Sequence, residues 1–94
     1  MTDIKDFIIE ANRILKYRGS EIHVVIPKSA CIVYANAFFN SNIESVIIPR
    51  SIKKLGTIVR IGENGTFENC KKLKKVIIEG DSLEIDKKVF SGCD

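Results

Sequence analysis

The sequence predicts a repeat solenoid of the α/β class: a short parallel β-sheet with turns or short helices on its convex side, capped at the N-terminus by an α-helix. Three observations lead there. Val24-Val25-Ile26-Pro27, Val46-Ile47-Ile48-Pro49 and Val76-Ile77-Ile78-Glu79 are versions of one strand. A phenylalanine follows the first residue of each by 14, 21 and 14 residues, at Phe38, Phe67 and Phe90. Three residues beyond each phenylalanine comes Ser41, Cys70 or Cys93, a small side chain suited to a turn. Self-similarity on this scale is what stacked coils produce, because a single coil cannot bury its own apolar edge.

The first element is expected to be helical. Ile4, Phe7, Ile8, Ala11, Ile14 and Leu15 recur at steps of three and four, which places them on one face of a helix over Asp3 to Arg18. Thr2 would cap its start, Asp3 suits its positive end, and Gly19 would stop it. Such an amphipathic helix would cover the open edge of the first coil. Residues 1–19 are therefore read as a capping helix and 20–94 as the solenoid, together one domain.

Within each coil the apolar strand alternates, so Val24 and Ile26, Val46 and Ile48, and Val76 and Ile78 point inward. With Phe38, Ile43, Phe67, Cys70, Leu73, Ile85, Phe90 and Cys93 they form the expected core. Pro27 and Pro49 end their strands, since proline donates no ladder hydrogen bond. The seven extra residues of the middle copy are expected to protrude around Leu55 to Arg60. Beyond Phe90 the last coil would leave an apolar edge of Ile78, Ile85 and Phe90.

The run from Val24 through Pro27, Ala37-Phe38, Val46 to Pro49, Ile61-Gly62, Thr66-Phe67-Glu68-Asn69-Cys70, Val76 and Phe90 to Cys93 resembles the BspA-like leucine-rich repeats over residues 22–94. Their units alternate a V-x-I-P strand with an I-G-x-x-A-F and cysteine turn. The departures are Ser41 in place of the first cysteine, Glu79 in place of the third proline, and the displaced Ile61-Gly62. The resemblance implies protein–protein binding without catalysis, in many cases at microbial surfaces.

Composition narrows the alternatives. The apolar runs are far shorter than the twenty or so residues that a membrane span needs. The first nineteen residues lack the basic start and clean apolar stretch of a secretory signal. Three cysteines cannot all pair within the chain, and free thiols fit a reducing compartment, so a cytoplasmic location is expected. No cofactor, metal site or catalytic residue is expected. His23 is the single histidine and has no nucleophile at a usable spacing, and the cysteines lack the paired spacing of a zinc site.

Two candidate surfaces remain. In each V-x-I the middle residue points away from the coil, and Val25, Ile47 and Ile77 are all apolar where a polar coat would be ordinary. These three, with Phe39, are the candidate protein-binding residues, although strand propensity alone also selects Val and Ile. The alternative is an anion-binding surface. Residues 50–75 carry a net charge of +6, against zero for 1–49 and −3 for 76–94. Its candidates are Arg50, Lys53, Lys54, Arg60, Lys71, Lys72 and Lys75, which equally make a solvated rim and lack the interleaved aromatics of a nucleic-acid site. The unknown partner is expected to be a protein, with a homo-oligomer through the sheet face or the open end as one form, and a structural unit of a longer repeat protein is the third reading.

Overall fold

The computed structural model describes residues 4–56, 65–85 and 89–93. Its first element is a hairpin and not the expected α-helix. A 3-10 turn, Ile4–Asp6, leads into β1 (Phe7–Glu10), which pairs antiparallel with β2 (Arg13–Tyr17). The apolar spacing misled because of one irregular residue. Phe7 stands opposite Tyr17 and Ile8 opposite Lys16, but Ile9 stands opposite Ile14, so Leu15 is an extra residue in β2. That bulge reverses the parity of the strand. Ile14 and Tyr17, three apart, would otherwise point to opposite faces; both are buried. A three-residue step that looks helical is here the trace of a bulge. Of the six residues expected on the helix face, only Phe7 and Ile14 are buried, while Ile4 and Ile8 are exposed.

Ala11, in the two-residue turn between β1 and β2, has φ 56°, a left-handed conformation unusual for alanine. After β2 the chain passes directly over the Tyr17 ring at Gly19, where a Cβ would collide with the phenol oxygen. The glycine read as a helix stop is thus needed for close packing.

Two parallel ladders follow. The strands β3 (His23–Val25), β5 (Ser45–Ile48) and β7 (Lys75–Ile78) form one sheet, with Val24, Val46 and Val76 in register. The repeat read from the sequence is this ladder. The expected turns or short helices on the other side are in part a second sheet, since β4 (Ile32–Val33), β6 (Lys54–Leu55) and β8 (Glu84–Ile85) also pair in parallel. Its order is β1-β2-β4-β6-β8, so the N-terminal hairpin continues the sheet of the coils. No α-helix occurs among the described residues.

The spacing from the first sheet to the second is constant at nine residues: Val24 to Val33, Val46 to Leu55, Val76 to Ile85. Leu55 is therefore a fully buried core residue and not the start of the insertion. The extra residues lie between Leu55 and Phe67, and most of them, Arg60 included, fall outside the described residues, as does the expected protrusion.

Each coil closes through the same turn. Ser41, Cys70 and Cys93 donate their backbone N–H to the carbonyls of Phe38, Phe67 and Phe90 at 3.0, 3.2 and 3.2 Å. The residue before each, Asn40, Asn69 or Gly92, has φ 60°, 60° or 77°. A turn with positive φ at its third position favours asparagine and glycine, because longer or branched L side chains clash there. The aromatic rings stack down the interior, with centroids 5.2 Å apart for Tyr17 and Phe38, 5.0 Å for Phe38 and Phe67, and 5.6 Å for Phe67 and Phe90.

Burial falls off at the last coil. Ile48 and Leu55 are 0% exposed, but the residues one coil on, Ile78 and Ile85, are 42% and 44% exposed. Val76, Phe90 and Cys93 are half-buried. The expected core assignment of Ile78 and Ile85 is thus corrected: they have the inward position of a coil that no described residue covers. Ile14, Tyr17, Val33, Ala37, Ile52 and Val89 join the core instead.

Candidate functional site

The outward side of the β3, β5 and β7 sheet is a grid of three rows, because in-register parallel strands align equivalent side chains. The first row is His23, Ser45 and Lys75; the second is Val25, Ile47 and Ile77. His23 Nδ1 and Ser45 Oγ lie 2.7 Å apart, which ties the first two strands together at the polar edge. Val25 is 41% and Ile77 39% exposed, while Ile47, flanked on both sides, is half-buried. The three outward residues predicted from strand alternation are therefore brought together as an apolar row. Two residues farther along come Pro27, Pro49 and Glu79. These lie past the ends of the strands, but the Glu79 N–H still donates to the Ile48 carbonyl at 3.0 Å, so the pairing of β5 with β7, and its parity, carry on to Glu79.

Phe39 is not part of this grid. It is half-buried and lines a groove of about 350 Å³ with Tyr17, Gly19, Ile22 and Asn40. The basic candidates are likewise divided. Lys71, Lys72 and Lys75 lie at the start of β7, whereas Arg50, Lys53 and Lys54 lie beyond the end of β5, and a four-residue strand of about 10 Å separates the two groups. Lys54 also pairs at 3.3 Å with Glu84, whose side chain is largely exposed, a contact worth at most about 1 kcal/mol. Arg60 is outside the described residues.

The cysteines have a role that spacing alone did not reveal. The Cys70 thiol donates to the Phe38 carbonyl of the preceding coil at 3.0 Å, and Cys93 repeats the bond one coil later, to Phe67 at 3.1 Å. A small side chain with a weak donor at this turn links coil to coil. Ser41, in the first copy, instead accepts from the Ile43 N–H at 3.3 Å. Burial pushes the Cys70 thiol up to about 11, against the opposing pull of a hydrogen bond from the Ser41 backbone and with a further rise from nearby Cys93. It is a structural thiol. Cys31, at the edge of β4, is exposed.

Comparison with known proteins agrees with this geometry. Residues 17–94 match the family described as the BspA type leucine rich repeat region (6 copies). Among solved structures, the T. pallidum leucine rich repeat protein superposes with a TM-score of 0.81 at 25% identity, over 97% of this chain and 45% of that one. A leucine rich cell surface protein from Faecalibacterium prausnitzii gives 0.63 at 29% identity, over 83% of this chain and 23% of its own. A leucine-rich repeat protein from Bacteroides capillosus gives 0.65 at 14% identity over 95% of both chains, a likeness of fold alone. The chain thus spans less than half the length of the first two. No curated protein matches it in sequence.

Proposed function

The chain belongs to the BspA-type leucine-rich repeat family, whose repeats point to a protein-interaction or structural module, and from that premise we propose that it is a non-enzymatic protein-binding unit that uses the outward face of β3, β5 and β7. The observation that carries this reading is the row Val25, Ile47, Ile77: three β-branched side chains aligned on an open sheet face, two of them about two-fifths exposed. An aligned apolar row rimmed by the polar row of His23, Ser45 and Lys75 has the make-up of a contact surface.

Size sets the strength. Three strands span about 10 Å and three rows about 13 Å, a footprint on the order of 150–250 Å². A stable interface buries about 800 Å² on each partner. The grid alone therefore supports a weak contact, and strong binding needs neighbouring surfaces as well. Among the described residues, the division of the basic candidates between the two ends of the sheet gives the anion-binding alternative no comparable surface.

The test is cross-linking of wild type and Ile47→Lys in extract of the source cells, followed by identification of captured proteins and direct titration of the purified candidate. The central row residue should be decisive: Ile47→Lys should weaken that titration at least about tenfold, while Lys71→Ala leaves it unchanged. Equal binding by Ile47→Lys, with an unchanged melting temperature, would show that the face is not the binding surface.

A further inference from the structure

Beyond the apolar row, the same sheet ends in a recess of about 390 Å³ lined by Lys28, Pro49, Arg50, Ser51 and Glu79. These residues come from the turns that follow the three strands, so the recess spans three successive coils. Lys28 and Arg50 occupy equivalent places, each directly after the strand-ending proline, and the third coil has Gly80 there. Gly80 packs against Arg50, with 3.4 Å from an added Cβ to the Arg50 Cα and 3.8 Å to its Cγ, so the third coil brings no side chain of its own to this place. Among the described residues neither the Lys28 ammonium nor the Arg50 guanidinium has an ion-pair or hydrogen-bond partner. Ser51 keeps its hydroxyl buried without a partner in the same corner. A buried unpaired hydroxyl is costly, and Ser51 is among the residues that line the recess.

We propose that this corner binds a side-chain carboxylate of the protein that docks on the outward face. The assignment rests on the protein-binding reading above and adds to it the chemistry of the partner: apolar residues over Val25, Ile47 and Ile77, with an aspartate or glutamate about two residues farther on. Two features select a carboxylate. The planar guanidinium of Arg50 presents paired donors that match two carboxylate oxygens, with Lys28 as a second positive charge. Glu79, on the rim, brings the net charge of the corner down to that of one cation, which matches the single charge of a carboxylate and leaves the second charge of a phosphate ester uncompensated. Parity puts Glu79 on the same side of the sheet as Ile77, so the corner is continuous with the apolar row.

Acetate is the probe, followed by two-dimensional amide and arginine side-chain NMR on the intact chain. Saturable shifts are expected at Arg50 Nε–H and at the Ser51 and Gly80 amides. Arg50→Gln should abolish them, and Glu79→Gln should tighten acetate binding roughly two- to fivefold, the effect of one exposed like charge. Ile47→Lys should leave acetate binding intact. An intact acetate site in a protein whose partner titration ignores Ile47→Lys would therefore fault the docking face and detach the corner from it, whereas a lost corner with a working face would fault this inference alone. Shifts that never saturate, or that are as large at Lys71 and Lys72, would overturn the site. Tighter binding of sulfate than of acetate, or indifference to Glu79→Gln, would overturn the carboxylate assignment.

Discussion

Ala11 offers a substitution whose sign separates the hairpin from the helix that its neighbours' spacing imitates. It opens the two-residue turn between β1 and β2 with φ 56° and is exposed. An L-residue in the left-handed region carries about 1–2 kcal/mol of strain. Ala11→Gly removes most of it, while the freer unfolded chain takes back about 0.4–1 kcal/mol. The net gain should be about 0.5–1 kcal/mol, or a rise of about 2–8 °C in melting temperature for a chain of this size. In the middle of a helix the same change would lower stability by about 1 kcal/mol. Ala11→Val should move the other way, because a β-branched side chain is worst tolerated at positive φ. Urea and thermal denaturation monitored by far-ultraviolet circular dichroism measure all three proteins. A destabilised glycine variant with an unaffected valine variant would refute the hairpin.

Two more predictions concern the ends of the ladder and its thiols. The folded state holds the Cys70 thiol up at about 11, whereas an ordinary thiol ionises near 9.0; a raised folded value means the stabilisation is full below pH 9 and is lost as pH climbs towards 11. The loss should reach about 2 kcal/mol, read as the difference between wild type and Cys70→Ala in urea melts at neutral and alkaline pH, and equal pH slopes would refute it. The exposed inward residues of the last coil, Ile78 and Ile85, are expected to take a second copy of this chain, so light scattering across dilution should show self-association that Ile85→Lys reduces; a wild-type chain that stays monomeric at high concentration would refute that.

What the sequence disclosed and what it hid follow from the length of each element. The β3, β5 and β7 ladder was legible because each strand carries the three-residue V-x-I alternation, closed by proline in the first two. The second sheet was not, because strands of two residues such as Ile32–Val33 and Lys54–Leu55 have no alternation to read. Its signal is the constant nine-residue step, which the uneven phenylalanine spacing and the displaced Ile61-Gly62 conceal, so that Leu55 looks like part of the insertion. The hairpin was hidden by the Leu15 bulge, which turns a period of two into an apparent period of three and a half. At the candidate site the outward row was legible from parity alone. The Lys28, Arg50 and Glu79 corner was not, since it joins three turns 22 and 29 residues apart in the chain, and only the register of the sheet makes them neighbours.

That dependence on register has a consequence for binding. In a ladder every added coil contributes one residue to each row, so the apolar row grows by about 5 Å of width for each strand, with no change in its chemistry. The charged corner does not grow in the same way. It depends on two consecutive cationic turns followed by Glu79 and Gly80, a sequence that breaks the Pro-cation pattern in the third coil. On the proposed binding mode, the apolar row would supply area and the corner would fix where along the ladder a partner sits. A partner with apolar residues but no suitably placed carboxylate could slide by one coil at little cost, because Val25, Ile47 and Ile77 are near equivalents. A carboxylate bound at the corner would remove that freedom, so the proposal makes register, rather than affinity, the property expected to respond most to Arg50→Gln.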